Sequence, residues 1–203
     1  GWPDLVSHAA PLELPDGDLL QACTARRSPD QPHHALLLRS RDGGCTWGDA
    51  LCLTDDAPGD LDFHETRLAL CPSGRLIAMH RTTGNYWRNV STDGGRSWTA
   101  TRESAVWCGG SSPADMKVLS DGRLLLTRGY RRPPYGVRAY LSENEGDAWD
   151  VHHPIVVRDD GPHWDVGYPT TVELGDGGLL TAYYWQDADG LRHIQRTRWT
   201  LPR

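Results

Sequence analysis

Apolar residues in this chain come in short runs that alternate with polar ones and stop at Gly, Asp, Ser or Pro after a few positions. No stretch carries the 3.6-residue apolar period and the capping residues of a helix. Four of the interruptions share one form: Asp16-Gly17-Asp18-Leu19-Leu20, Ser73-Gly74-Arg75-Leu76-Ile77, Asp121-Gly122-Arg123-Leu124-Leu125 and Asp176-Gly177-Gly178-Leu179-Leu180. A Gly turn between apolar runs predicts a β-hairpin, because Gly takes the positive φ that a tight reversal demands. Thr66 to Leu70 lead into the second of these turns and Leu76 to His80 lead out of it. The 14 Pro and 22 Gly, spread through the breaks, fit many short strands.

A second motif alternates with the first. Ser40-Arg41-Asp42-Gly43-Gly44-Cys45-Thr46-Trp47, Ser91-Thr92-Asp93-Gly94-Gly95-Arg96-Ser97-Trp98 and Ser142-Glu143-Asn144-Glu145-Gly146-Asp147-Ala148-Trp149 all read S-x-D/N-x-G-x-x-W, and each begins 51 residues after the one before. Ser and Asp side chains accept hydrogen bonds from nearby backbone N–H groups and lock a turn. Gly supplies the left-handed step, and the Trp folds back beside the strands. Asp42 and Asp93 are therefore read as turn locks rather than catalytic acids. A repeat of about 50 residues holding roughly four strands is one propeller blade. Four blade-like units are predicted, at about 10–55, 60–107, 108–158 and 163–200, within one all-β domain over 1–203; the last lacks the S-x-D turn and ends at His193 to Trp199.

The three turns resemble the Asp-box, or BNR repeat, of the sialidase superfamily. That resemblance covers nearly the whole chain and implies a β-propeller of sialidase type. A ring of six blades is the family's form, within the usual range for propellers. About four are expected here, so the sequence is read as a portion toward the C-terminus, with blades expected before it.

The resemblance also implies chemistry. Sialidases use a Tyr nucleophile, an exception to the two-carboxylate rule of glycosidases. A Glu takes the phenol proton, three Arg grip the substrate carboxylate, and an Asp is the general acid. Planar guanidinium forks suit that grip. Asp165-Val166-Gly167-Tyr168, before a strand and the Asp176-Gly177 turn, resembles the nucleophile segment and places the nucleophile at Tyr168, although Pro169 stands where a small polar residue is expected. Phe63-His64-Glu65-Thr66-Arg67 followed by His80-Arg81 implies Glu65 as the base and Arg81 as a clamp, with Arg88 an alternative. Arg138, just before the third Asp-box, resembles another clamp member, with Arg128 its competitor. Asp165 is read as a substitute acid or a sugar contact. Each of these residues also has an ordinary reading: a packed Tyr ring, a solvated Glu, a surface Arg. The family's first Arg and acid Asp find no match in this sequence.

Composition adjusts this picture little. The formal net charge of −6 leans against a binder of nucleic-acid backbone. Nine Trp and seven Tyr against one Phe suit sugar-binding surfaces, whose rings need a flat apolar face and a polar handle, as well as β cores. The five Cys are odd in number and include no CxxC pair, so no zinc knuckle or dense disulfide framework is expected. His33-His34 and His152-His153 are adjacent pairs, and neighbours on a strand point to opposite faces, so no metal site is expected. No phosphate-loop or dinucleotide motif is present and no cofactor is expected. Asn89-Val90-Ser91 fits a glycosylation sequon, but its Ser belongs to an Asp-box. No run approaches the ~18 apolar residues of a membrane span, so no membrane partner is expected. Location is left open by the residues; the resemblance implies a secreted or extracytoplasmic protein.

The leading expectation is a sialidase-like exo-glycoside hydrolase acting on a terminal acidic sugar of a glycan. Two alternatives share the scaffold: a polysaccharide lyase or other glycosidase, and a non-catalytic propeller that binds glycans or proteins.

Overall fold

The computed structural model describes residues 2–108, 110 and 112–202. The chain divides into two compact units, one running to Ser104 and the other starting at Ala105. Every described element is a β-strand, and every described pairing is antiparallel. The fold is the all-β, bladed architecture of sialidase-type propellers.

In the first unit, β1 (Asp4–Ser7), β2 (Leu12–Glu13), β3 (Leu19–Arg26), β4 (His34–Ser40) and β5 (Gly48–Cys52) form one sheet in the order β1-β3-β4-β5, with β2 also on β3. β6 (His64–Leu70), β7 (Leu76–Arg81), β8 (Asn85–Ser91) and β9 (Arg102–Trp107) form the next in chain order, β9 crossing the division between the units. Leu14, Leu20, Leu37, Leu53, Leu76 and Ala78 from both sheets pack into one core. Each fully buried Leu contributes about 1.5–3 kcal/mol.

In the second unit, β10 (Ala114–Val118), β11 (Leu124–Tyr130), β12 (Tyr135–Ser142) and β13 (Ile155–Gly161) form a sheet in chain order. β14 (Gly167–Glu173), β15 (Leu179–Gln186) and β16 (Arg192–Trp199) form another. Leu119, Leu125, Ala139 and Leu179 make one core cluster there, and Val137, Val166, Tyr183 and Trp185 a second.

The four Gly turns are near-copies. In each, the Gly N–H donates to a carbonyl three residues back: Gly17 to Leu14, Gly74 to Cys71, Gly122 to Leu119, Gly177 to Leu174, all at 2.9 Å. Gly alone in each loop takes a positive φ, between 76° and 88°. The closing residue is thus a single left-handed Gly, which explains why the residue before it is free to be Asp or Ser.

The Asp-boxes are built as their residues demand. Ser40 Oγ accepts from Gly44 N–H at 2.9 Å and Asp42 Oδ1 accepts from Thr46 N–H at 2.8 Å, while Trp47 Nε1 donates to Gly44 O. The second copy repeats this with Ser91, Gly95, Asp93, Ser97 and Trp98. These donors hold the Asp42 carboxyl down at about 2 and Asp93 lower still, led in both by the following hydroxyl. In the third copy Asn144 takes the Asp place, accepting from Ala148 N–H at 2.8 Å. There Glu145 occupies the left-handed position, at φ 53°, that Gly43 and Gly94 fill in the others.

Candidate functional site

In the second unit, β14 opens with a bulge. Gly167 pairs with Tyr184 and Thr170 with Ala182, so three steps on β14 face two on β15. One extra residue is extruded, and the bulge holds Tyr168 and Pro169. Pro169 has no N–H to offer a ladder and is at home in such a bulge. Tyr168 has φ 50° and is 46% exposed. A large aromatic residue rarely adopts that conformation, and its cost of about 1–3 kcal/mol persists only where surroundings impose it. Here they do. Gly129 of β11 lies so close that an added Cβ would stand 2.6 Å from Val166 O and 2.8 Å from Gly167 Cα.

Around Tyr168 lies a polar set. Its ring sits 5.8 Å from that of Tyr184. Tyr184 Oη donates to Asp165 Oδ1 at 2.6 Å, and Arg131 Nη2 donates to Tyr184 Oη at 2.7 Å. Arg131 Nε donates to Val166 O at 3.0 Å, and Arg192 Nε donates to Asp165 Oδ2 at 2.6 Å. The Arg131 guanidinium lies 5.7 Å from the ring of Trp164, which is half exposed. Burial, reinforced by Asp165, pushes the Tyr184 phenol far above its usual value, so it stays a neutral donor. Burial alone would raise Asp165, but the Tyr184 and Arg192 hydrogen bonds and the Arg192 and Arg131 charges outweigh it and hold the carboxyl below its usual range. One carboxylate, two guanidiniums, two phenols and an indole face thus share one patch.

Glu65 and Arg81 meet in the first unit. A bulge between His64 and Arg67 displaces Glu65 and Thr66 from the ladder with β7. Arg81 Nη1 donates to Glu65 Oε1 at 2.7 Å and to Oε2 at 2.6 Å, with Glu65 8% exposed. Beneath them His80, fully buried, accepts at Nδ1 from Thr66 Oγ1 and donates from Nε2 to Asn89 Oδ1 at 2.6 Å. The direction follows because the Asn89 amide nitrogen is committed to Thr99 O and Thr101 Oγ1. Arg88, the alternative to Arg81, stands opposite Met79 on β8.

Arg138 and its competitor Arg128 face each other across β12 and β11 in the second unit. Both are buried, at 7% and 1% exposure. Alternate residues of a strand point to opposite faces. Gly129 turns toward Val166 and Gly167, so Arg128 and Arg138 lie on the other face of their sheet from Tyr168. The structure therefore brings Tyr168 and Asp165 together, and Glu65 and Arg81 together, but gives Arg138 a separate setting.

Arg131, Tyr184, Trp164 and Arg192 escaped the sequence reading. The Arg131-Arg132 pair at a strand end and the Tyr183-Tyr184 doublet were visible. Nothing local ties them to Tyr168, since the Arg131–Tyr184 hydrogen bond spans 53 positions.

Two groups among the described residues could hold a metal ion. His33 Nδ1 and His64 Nε2 each lie 2.8 Å from a different oxygen of Asp62, and His34, Cys52 and Asp55 form the second group. His33 joins His64 rather than its neighbour His34, so strand alternation did not exclude a cluster. Hydrogen bonding to one carboxylate accounts for the first group as it stands.

The model of the BNR repeat-like domain family matches residues 4–181. No curated protein matches the sequence. Among solved structures, a protein of unknown function from Dyadobacter fermentans is 29% identical with a TM-score of 0.81, over 98% of this chain and 54% of that one. The GH93 α-L-arabinofuranosidase of Fusarium graminearum, solved with arabinobiose, is 18% identical with a TM-score of 0.68, over 95% and 62%. The leech intramolecular trans-sialidase, solved with 2,7-anhydro-Neu5Ac, is 16% identical with a TM-score of 0.71, over 97% and 32%. The chain spans about half the length of the first of these structures.

Proposed function

Because the chain belongs to the BNR repeat-like domain family, within the sialidase-type β-propellers, we propose that it is an exo-acting glycoside hydrolase whose chemistry centres on Tyr168, acting on a terminal acidic sugar. The observation that carries this reading is the extruded Tyr168, strained to φ 50° and exposed beside Tyr184, Asp165, Arg131 and Arg192. Strained residues cluster at reactive sites, which supports this role for Tyr168.

In the proposed reaction the Tyr168 oxygen bonds to the anomeric carbon as the bond to the leaving oxygen breaks. The phenol proton that Tyr168 gives up passes through solvent to the leaving oxygen. Water then attacks the same carbon, and Tyr168 regains its proton as the sugar leaves. Arg131 and Arg192 supply positive charge beside the attacking oxygen and the sugar. Asp165, kept ionised by Tyr184 and Arg192, is a poor proton donor near neutral pH and suits hydrogen bonding to sugar hydroxyls. Trp164 offers a flat face to the ring. The base role that the resemblance implies for Glu65 is tested apart, through Glu65→Gln.

Tyr168→Phe should lower turnover of a susceptible fluorogenic glycoside by at least roughly a thousandfold, with the circular dichroism spectrum and melting temperature of the parent retained. Turnover within about threefold of the parent would remove Tyr168 from the nucleophile role.

A neutral terminal sugar is the second reading. Asp165 already engages Arg192 directly and Arg131 through Tyr184, which leaves less positive charge for a sugar acid. The arabinobiose complex of the GH93 neighbour supports this alternative.

A further inference from the structure

The first unit holds a cluster that the Tyr168 chemistry does not use. His33, Asp62 and His64 each place one donor atom within 4.8 Å of the other two. His33 Nδ1 lies 2.8 Å from Asp62 Oδ1, and His64 Nε2 lies 2.8 Å from Asp62 Oδ2. The two imidazole rings are 5.1 Å apart. Side chains from segments 29 positions apart thus aim at one carboxylate instead of at separate acceptors.

The backbone fixes this convergence. Phe63 N–H donates to His33 O at 3.0 Å, and His33 N–H donates to Asp62 Oδ1 at 2.7 Å. These bonds pin the residue before β4 to the chain entering β6. Alternate residues of an extended chain share a side. Phe63 is buried, edge-on to His80 and Trp87 at 5.9 and 6.3 Å, so Asp62 and His64 point outward together. All three side chains of the cluster are partly exposed and within reach of solvent. The other group, His34, Cys52 and Asp55, is less suited to a cation. Arg27 already holds Asp55 at 2.8 and 3.0 Å, so an incoming ion would have to displace a guanidinium.

Donor chemistry selects the ion. Two imidazole nitrogens and a carboxylate oxygen are a zinc ligand set, whereas calcium and magnesium take sets of oxygen atoms. With metal–ligand bonds of about 2.0–2.2 Å at tetrahedral angles, nitrogen and oxygen ligands stand about 3.4 Å apart. The 2.8 Å contacts observed therefore open by only about 0.6 Å, a shift that small rotations of partly exposed side chains supply. The His33 N–H keeps Asp62 Oδ1 and orients the carboxylate, as outer-shell donors do, while Oδ2 turns to the ion. Each neutral imidazole takes the ion at the nitrogen now facing Asp62 and carries its proton on the other one.

We propose that His33, Asp62 and His64 form a zinc site with three protein ligands and one open position, fastening the chain at the start of β4 to the start of β6. These strands belong to different sheets, so the ion ties one sheet of the first unit to the next.

Equilibrium dialysis and calorimetry of the chelator-treated protein with zinc chloride test the site. One zinc per chain should bind, and the melting temperature should rise, because the ligands converge only in the folded chain. A roughly hundredfold excess of calcium or magnesium should not displace the ion. His64→Gln and Asp62→Asn should each weaken zinc at least about tenfold, with the circular dichroism spectrum retained. His153→Gln, which alters an exposed His–Asp contact elsewhere, should leave zinc affinity unchanged. Cobalt(II) in place of zinc should show the visible absorption of a low-coordinate ion with no thiolate charge-transfer band. Failure to bind stoichiometric zinc, or equal affinity in the parent and both cluster variants, would overturn the site. Equal weakening by His153→Gln and His64→Gln would mean loose surface binding and overturn it as well. A thiolate band, or loss of zinc in Cys52→Ser but not in His64→Gln, would put the ion on the other group and overturn the assignment.

Discussion

Three residues that look unremarkable one at a time are held in costly states. Tyr168 is strained, Arg128 is buried with no carboxylate at ion-pair distance among the described residues, and His80 is buried and uncharged. His80 has the plainest consequence. Burial lowers its folded value to about 4, against the hydrogen bond to Asn89, from an ordinary 6.5. A depressed His binds its proton more readily unfolded than folded, so stability rises with pH across that window. The contribution is complete above about 6.5, declines as pH falls toward 4, and amounts to about 3 kcal/mol over the whole window. Urea unfolding of the parent should lose about 2 kcal/mol between pH 8 and pH 5 that His80→Gln, which has no group to titrate there, does not lose. Parallel pH profiles for the two proteins would refute the assignment.

At the level of strands and turns, the Asp-box copies serve as controls for one another. The first left-handed position is Gly43, Gly94 or Glu145, and a side chain there is disfavoured by about 1–2 kcal/mol before compensation. Glu145→Gly should therefore raise stability by up to about 1 kcal/mol. Gly95→Ala should act in the opposite direction. Its φ is 78°, and a Cβ there would meet Leu20 Cδ1 at 2.9 Å and Leu76 Cδ1 at 3.3 Å within the first unit's core. A loss of about 1–3 kcal/mol is expected from strain and overpacking together. Chemical denaturation of the two variants beside the parent checks both signs, and a shared sign would mean that the turns do not obey the backbone rule.

For the protein as a whole, the proposed hydrolysis turns on the charge of the sugar. Its bladed fold is shared with glycosidases of differing substrates, among them a sialidase and an arabinofuranosidase. With both guanidiniums of the Tyr168 patch partly engaged by Asp165 and Tyr184, charge decides the outcome. A panel of fluorogenic sialoside, glucuronide and α-L-arabinofuranoside should give release from an acidic substrate that exceeds release from the neutral one. Asp165→Asn, which frees Arg192, should shift that ratio further toward the acid. Preference for the arabinofuranoside would favour the neutral reading instead.

Spacing alone determined the repeat. Three S-x-D/N-x-G-x-x-W turns and four Gly turns depend on bonds between residues at most four apart, such as Gly95 N–H to Ser91 Oγ, so the chain displays them directly. Strand type and blade-like sheets followed from the same local rules, whereas Tyr168 was singled out by the family resemblance and its extrusion and exposure came from the fold. Partnership across tens of residues is another matter. That Arg131 reaches Tyr184, that His33 meets His64, and that Arg128 and Arg138 lie on the face away from Tyr168 all depend on how sheets stack and which way a bulged strand turns its side chains. Those are sums of many weak contacts spread over distant segments, and only the folded chain evaluates them.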